Sequence, residues 1–557
     1  MSEPAPSYEH GASDQRMIGE TIGQQFDRTV ARWPDRPALI ARQQGIRLTW
    51  AGLAQKVDAF AAGLIALGLQ PGDRVGIWSP NNAEWVIAQF ATAKAGIILV
   101  NINPAYRLSE VEYALNKVGC KALITATSFK TSDYIGMINT LAPELAISHP
   151  GELHCARLPT LKSVIQIGDS DPGTFAFEKI AHLGHDQHRA RLKELELLLQ
   201  FDDPINIQFT SGTTGQPKGA TLTHHNILNN GWFIGEIMRY SDQDLVCIPV
   251  PMYHCFGMVI GVLACLTHGS AIVFPGEGFD PLATLQTVAE ERCTSLYGVP
   301  TMFIAELDHP EFSRFDLKSL RTGMMAGAPC PIEVMRRCIR DMHLTEMTIG
   351  YGMTETSPVS TQTRIGDALE KQTETVGRPH PHIEIKIIDA EGRIVPRGTS
   401  GELCTRGYSV MLGYWGDPEK TAEAIDKSGW MHTGDLATMD EDGYCTIVGR
   451  IKDMVIRGGE NIYPREIEEF LYRHPLIQDV QVFGVPDQRF GEELCAWVKL
   501  RSGASLSEDD VRAFCKGQIA HYKVPRYVRF VDDFPMTVTG KMQKFIMRAK
   551  MIEELQS

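Results

Sequence analysis

The sequence predicts an α/β chain. Its large N-terminal domain would hold two related α/β subdomains and a small β-rich subdomain, with a small α+β C-terminal domain after it. Three observations lead there. From Arg74 onward, short apolar runs alternate with helical patterns. The same alternation returns from Ala271, and near Ile383 the text changes to strict every-other-residue patterning. Apolar runs separated by helical spacing indicate βαβ units on a mostly parallel sheet, and period-two alternation indicates half-buried strands.

Element by element, Val75-Gly76-Ile77-Trp78 reads as a buried strand. Asn82 to Ala95 spaces Trp85, Val86, Phe90 and Ala91 as a helix does. Ile97 to Val100 and Ala122 to Ile124 are further buried runs. Ala271 to Phe274 and Thr294 to Tyr297 repeat the theme around a helix from Pro281 to Glu291, with Pro281 suited to a first turn. Ile383, Ile385 and Ile387 alternate with polar neighbours; Gly401 to Cys404 and Tyr444 to Val448 add short strands. Beyond Arg450, Glu466 to Tyr472 and Ser507 to Ile519 read as helices, and Val480 to Val485 and Glu493 to Leu500 as strands. The change of texture places the boundary between domains 1–451 and 452–557.

Bulk composition narrows the function. With 557 residues the chain exceeds one ordinary core. Its 43% hydrophobic and 22% charged residues suit a folded globular protein. The net charge of -14 argues against broad nucleic-acid binding, which needs basic surface to displace counterions. It does not argue against nucleotides, whose phosphates are held by a few local donors. The 12 cysteines are scattered, with no Cys-x-x-Cys pair and no zinc spacing. Buried thiols in a reducing compartment are expected. The polar N-terminus has neither the order of a signal peptide nor the Arg-rich profile of an organelle presequence, so cytoplasm is the expectation. The most apolar stretch, Met258 to Leu266, is too short to span a bilayer.

One segment carries chemistry on its face. Thr210-Ser211-Gly212-Thr213-Thr214-Gly215-Gln216-Pro217-Lys218-Gly219 follows an alternating strand at Ile205, Ile207 and Phe209. Ala220 to Phe233 after it reads as a helix. A Gly- and hydroxyl-rich loop between strand and helix offers backbone N–H groups to phosphate oxygens, and Lys218 adds charge. It is not a P-loop, because Gly219 follows Lys218 where Ser or Thr is required.

This decapeptide resembles the phosphate loop of the adenylate-forming superfamily, which comprises acyl-CoA synthetases, luciferases and peptide-synthetase adenylation domains. Four further segments resemble that superfamily's signatures, in its order. They are Tyr351-Gly352-Met353-Thr354-Glu355-Thr356, Gly429 to Asp435, Gly449 to Asp453 with Gly458 to Pro464, and Thr539-Gly540-Lys541. The shared runs Asn206 to Phe209 and Ile456 to Pro464 are similar to medium-chain-type fatty acyl-CoA synthetases. Two departures stand out. Animal members carry a mitochondrial presequence that this N-terminus does not resemble. Long-chain bacterial enzymes have Trp where Asn461 stands, so their gating scheme is not carried over.

The resemblance implies an ATP-dependent synthetase that forms an acyl-adenylate and passes the acyl group to coenzyme A, acting on short- to medium-chain or branched fatty acids. It implies that Thr210, Ser211, Gly212, Thr213, Thr214, Gly215 and Lys218 hold phosphates, and that Glu355 and Thr213 hold Mg²⁺. Adenine would lie between Gly327-Ala328-Pro329 and Tyr351-Gly352, and Asp435 and Arg450 would hold the ribose. Thr354 would donate to the α-phosphate or acyl carboxylate. Lys541 would bridge the attacking carboxylate and the α-phosphate. A polyanion attacked by an anion requires such fixed cations. His254, in Pro251 to Gly257, would wall the acyl pocket, with Phe256, Met258, Val299 and Met353 as apolar lining; a plain core histidine is the other reading. His224-His225-Asn226 reads as a helix start and not a metal site, because adjacent side chains diverge on a helix. The family turns its C-terminal domain between half-reactions, which makes that domain mobile, Lys452 the hinge and Gly458-Gly459 the thiol passage. The small-molecule acid, ATP and CoA are then the binding partners, and a homodimer is the commonest assembly. Transfer to a carrier protein, a luciferase-like oxygenase and a non-catalytic ATP-binding scaffold remain alternatives.

Overall fold

The computed structural model describes residues 5–210, 216–458, 460–537 and 541–556. Two large sheets form the body. The first has eight strands in the spatial order 175–176, 163–166, 122–125, 74–78, 98–101, 204–210, 218–223 and 413–414. It is parallel from 175–176 to 204–210, and its last two pairings are antiparallel. The second has nine, in the order 378–379, 359–362, 346–352, 322–325, 295–298, 245–247, 271–274, 37–41 and 46–49.

Helices fill the space between the sheets. Helix Ala83–Ala95 is buried on every face, which is why it is apolar all round. Asn82 opens it by accepting the Trp85 N–H at 2.8 Å, and Gly96 closes it in the left-handed conformation. One continuous core joins Val75, Ile77 and Leu99 of the first sheet to Val246, Ile272 and Met324 of the second, through Trp85, Phe90, Ile227 and Leu263 of the helices. The apolar Met258–Leu266 run lies in this core. It begins as a wide π-type helix, Phe256–Leu263, and continues as helix Ala264–His268. No helix among the described residues is long and apolar enough to cross a membrane.

The β-rich unit is a five-stranded antiparallel sheet in the order 8–10, 383–388, 401–407, 431–439 and 445–450. Beyond it, strands Val455–Arg457, Glu460–Ile462, Ile477–Asp487 and Gly491–Leu500 form a separate sheet, with Tyr527–Phe530 added in parallel. The apolar clusters of this part draw only on residues from Val455 onward. The helix expected over Ser507 to Ile519 spans only Glu508–Cys515, with Gly517 at a positive φ of 76° ending the run. Asp308 of the body meets the C-terminal part through Gln478 at 3.1 Å and Arg501 at 3.2 Å. All twelve cysteines are buried and unbridged.

Candidate active site

The phosphate-loop segment corrects one expectation. Lys218–Thr223 is a strand, antiparallel to Pro204–Thr210, and the helix starts only at His224. Residues 204–210 and 218–223 therefore pair as two strands, and Lys218 opens a strand and not a helix. The β-branched Thr221 and Thr223 favour the strand, and Thr223 then caps the helix by accepting the Asn226 N–H at 3.0 Å. Ser211, Gly212, Thr213, Thr214 and Gly215, assigned above to phosphate and metal, lie outside the described residues, as do Gly459 and Thr539-Gly540.

The paired ends of these two strands converge on Glu355. Thr210 Oγ1 donates to Glu355 Oε1 at 3.2 Å, and the Tyr414 hydroxyl donates to the same oxygen at 2.8 Å. Lys218 Nζ donates to the Tyr414 hydroxyl at 3.1 Å and lies 4.2 Å over its ring. Glu355 is buried, on a short turn Thr354–Thr356 that follows strand Glu346–Gly352. That turn needs glycine before it, because a Cβ on Gly352 would lie 1.7 Å from the Pro358 carbonyl oxygen. Both hydrogen bonds that the Glu355 side chain accepts from described residues reach Oε1. Oε2 is left as a hard oxygen donor, of the kind that Mg²⁺ takes.

The second group is built on a strand pair. Asp435 and Arg450 face each other across strands Met431–Met439 and Cys445–Arg450. Arg450 Nε donates to Asp435 Oδ1 at 3.0 Å, and the Tyr351 hydroxyl donates to Oδ2 at 2.8 Å. Each oxygen keeps a lone pair for one hydroxyl of a diol. Burial and the Asp435 charge hold the Tyr351 phenol well above its usual range, so it stays a donor. Gly327-Ala328-Pro329 leaves the C-terminal end of strand Thr322–Met325, the parallel neighbour of Glu346–Gly352 that ends near Tyr351. Ligands of open α/β sheets gather at such strand ends.

Lys541 joins these groups from the far end of the chain. Its backbone N–H donates to Thr537 Oγ1 at 3.0 Å, and its carbonyl accepts from the Thr537 N–H at 2.8 Å. Burial lowers the ammonium pKa, and nearby Arg450 lowers it further, while Cys255, Glu355 and Asp435 oppose them. His254 feels Lys541 as well. Burial, seconded by that charge, pushes its pKa down to about 3, so the imidazole is neutral. Its Nδ1 accepts the Phe256 N–H at 3.1 Å, which leaves Nε2 as the protonated nitrogen. Thr354 is buried, with its hydroxyl 3.7 Å from Cys255 Sγ. Burial pushes the Cys255 thiol up to about 12.

Two positions escaped the sequence reading. Tyr414 lies in an edge strand, Gly413–Tyr414, that no motif marks. Cys255 passes for an ordinary apolar residue in Tyr253-His254-Cys255-Phe256. Beside the Lys541 turn opens a cavity of about 400 Å³, lined by Tyr253, Phe279, Met302, Ile304, Met536 and Met542 among others. Phe256 and Val299 do not line it; they border Gly327, where an added Cβ would lie 3.9 and 3.2 Å from them. Met258 is buried and accepts from Asn101 and Gln208 through its sulfur, and neither it nor Met353 lines the cavity. Lys452 is exposed on the turn Ile451–Asp453, and Gly458 has a φ of 60° with its N–H on the Phe490 carbonyl at 2.8 Å.

Comparison with known families decides what this arrangement belongs to. The AMP-binding enzyme model matches residues 26–415, and the AMP-binding enzyme C-terminal domain model matches residues 466–541. The chain belongs to the AMP-binding enzyme family. Among curated members it is 50% identical over 552 residues to the medium-chain acyl-CoA ligase ACSF2, mitochondrial, of Danio rerio, covering 99% of this chain and 91% of that protein. It is 51% identical over 539 residues to the putative acyl-CoA synthetase YngI of Bacillus subtilis, covering 96% and 98%. Among solved structures, the anthranilate CoA ligase AuaEII in complex with anthranoyl-AMP superposes with a TM-score of 0.85 at 25% identity, covering 98% of this chain and 99% of that one. The two-part architecture is thus that of an AMP-binding enzyme.

Proposed function

We propose that this chain, an AMP-forming acyl-CoA ligase, activates medium-chain fatty acids. One observation carries the reading: the Lys541 ammonium is within electrostatic reach of Glu355, Asp435, Arg450 and Cys255. A carboxylate oxygen attacks the α-phosphorus of ATP, the bond to the β-phosphate oxygen breaks, and pyrophosphate leaves with the electron pair. Lys541 supplies positive charge to both anions as they approach, and Thr354 donates a hydrogen bond to the same oxygens. Neutral His254 adds no charge to the acyl pocket and can donate from Nε2. Asp435 and Arg450 hold the ribose, and Gly327 to Pro329 with Tyr351 hold the adenine. Glu355, oriented by Thr210 and Tyr414, fits Mg²⁺, which would neutralise phosphate charge when bound.

In the second half-reaction the CoA sulfur attacks the acyl carbonyl, its proton goes to solvent and AMP leaves. In this reading Lys541 serves the first half-reaction. We therefore place the domain boundary at 451/452, with Lys452 as the hinge on which the separately cored C-terminal domain turns. Gly458 would then flank the thiol path. The medium-chain reading is supported by the names of the relatives. The test is ATP–pyrophosphate exchange across straight-chain and branched acids, followed by thiol loss on adding CoA. Exchange and thioester formation peaking at medium chain lengths are expected. A peak elsewhere overturns the substrate. Exchange without thioester points to a carrier protein, and no exchange with any acid points to a scaffold.

A further inference from the structure

The signature strand Met431–Met439 carries more than Asp435. Along its neighbour, Gly401–Gly407, side chains alternate between faces. Leu403 turns into the core with Ala437 and Met439. Glu402 and Cys404 turn the other way, where Cys404 packs with Ile388 and Trp430. His432 is the direct cross-strand partner of Cys404. This register brings three ligand-bearing side chains together on one face. Cys404 Sγ lies 3.6 Å from His432 Nδ1, and His432 Nδ1 lies 3.0 Å from Glu402 Oε2. All three ligand atoms lie within 4.8 Å of one another.

We propose that Glu402, Cys404 and His432 bind a thiophilic divalent cation of the Zn²⁺ class, at a site separate from the nucleotide site. A tetrahedral ion about 2.3 Å from sulfur and ~2.0–2.1 Å from nitrogen and oxygen requires ligand atoms roughly 3.2–3.7 Å apart. The observed spacings need only small rotamer adjustments to meet that. Thiolate, imidazole and carboxylate together favour Zn²⁺ over Mg²⁺ or Ca²⁺, which take oxygen. The ligands stand on paired strands, so their separation is set by the sheet. Outer contacts orient them. Glu402 Oε1 accepts the Gly434 N–H at 3.1 Å, leaving Oε2 for the ion. His432 Nε2 lies 3.9 Å from Asp426 Oδ2, and Asp426 is itself held by the Ser428 and Trp430 N–H groups. A carboxylate hydrogen-bonded to the free imidazole nitrogen is the usual support for a metal-bound histidine, and Asp426 would have to close from 3.9 Å to give it.

Binding exchanges one proton for the ion: the Cys404 S–H bond breaks, the sulfur–metal bond forms and that proton leaves to solvent, while the Nδ1 proton that His432 shares with Glu402 passes to Nε2, so that Nδ1 coordinates as a neutral imidazole. Three protein ligands leave a fourth position for water. His432 is partly exposed, which gives the ion an entry. Because Glu402 also holds Gly434, the site would be tied to the turn that carries Asp435.

The test uses the full chain, freed of metal with a chelator and titrated with Co²⁺ in the absence of ATP. A thiolate-to-cobalt charge-transfer band saturating at one equivalent and erased by Zn²⁺ is expected. Cys404→Ser should abolish the band while far-UV dichroism confirms the fold. Glu402→Gln should weaken Zn²⁺ binding by more than the ~10–100-fold that loss of an outer partner costs. Glu355→Gln should leave the band intact, separating this site from the nucleotide site. Absence of the band, or its survival in Cys404→Ser, overturns the proposal. Unchanged Zn²⁺ affinity in Glu402→Gln also overturns it.

Discussion

At the residue scale, the Tyr414 hydroxyl links Lys218 to Glu355, so one phenol orients both the cation proposed for phosphate and the carboxylate proposed for Mg²⁺. Burial and Glu355 keep that phenol protonated. Hydrogen bonds to charged groups contribute about 1.5–3 kcal/mol, so Tyr414→Phe should lower kcat/KM for ATP roughly 10- to 100-fold. The half-saturating Mg²⁺ concentration in pyrophosphate exchange should rise with it. An unchanged Mg²⁺ requirement would show that Tyr414 does not position Glu355. Lys541→Ala should cut acid-dependent exchange by at least ~10²–10³-fold, the usual loss for a group matched to transition-state charge. Supplied acyl-adenylate plus CoA should still yield thioester at near the normal rate. Equal loss of both half-reactions would contradict the two-orientation reading.

At the element scale, the site is made where strands end and hairpins turn. Glu346–Gly352 delivers Tyr351 and, just beyond, Thr354 and Glu355. The strand pair formed by Pro204–Thr210 and Lys218–Thr223 delivers Thr210 and Lys218 to the same carboxylate system. The turn Ile451–Asp453 joins the β-rich sheet to the C-terminal sheet, with Ile451 and Lys452 exposed and Asp453 half-buried, which leaves room for backbone rotation. Proline at 452 would lock φ near -65°, by about 15° either way. Lys452→Pro should therefore spare pyrophosphate exchange and slow thioester formation from acyl-adenylate. Full turnover with CoA in that variant would move the hinge elsewhere.

At the scale of the whole molecule, burial of neutral histidines sets an acid limit on stability. His224 is fully buried, its Nδ1 accepts the Ile22 N–H at 3.1 Å, and burial pushes its pKa down to about 3. His254 behaves alike. An unfolded histidine takes up its proton near pH 6.5. Between about 6.5 and 3 the unfolded state therefore binds more protons, and stability falls as pH falls. Each pH unit well inside that window costs up to about 1.4 kcal/mol per histidine. Urea denaturation from pH 7 to 4 should show this slope. His224→Asn keeps an acceptor for Ile22 but cannot titrate there, so its slope should be shallower even if it is less stable overall. The same slope in both proteins would exclude His224 as the titrating group.

Local pattern placed most of the elements it named within a residue or two, and left others, such as helices Trp50–Ala66 and Ile332–Asp341, unnamed. Helix Pro281–Glu291 and strand Ala271–Phe274 match the expected bounds because their apolar periods are unbroken. The helix expected over Ala220 to Phe233 began late, because strand pairing with Pro204–Thr210 outweighed the local helical spacing at its start. The motifs named Glu355, Asp435, Arg450 and Lys541, since each stands in a run with its own signature. Tertiary structure alone decided which of these touch. It put Tyr414 on Glu355, Cys255 beside Thr354, and Cys404 opposite His432, each pair separated by at least 28 positions in sequence. Short-range periodicity reports which face a residue shows to the core. Which distant residue it meets depends on strand register and on how the sheets stack, and those are settled by the packing of the whole chain.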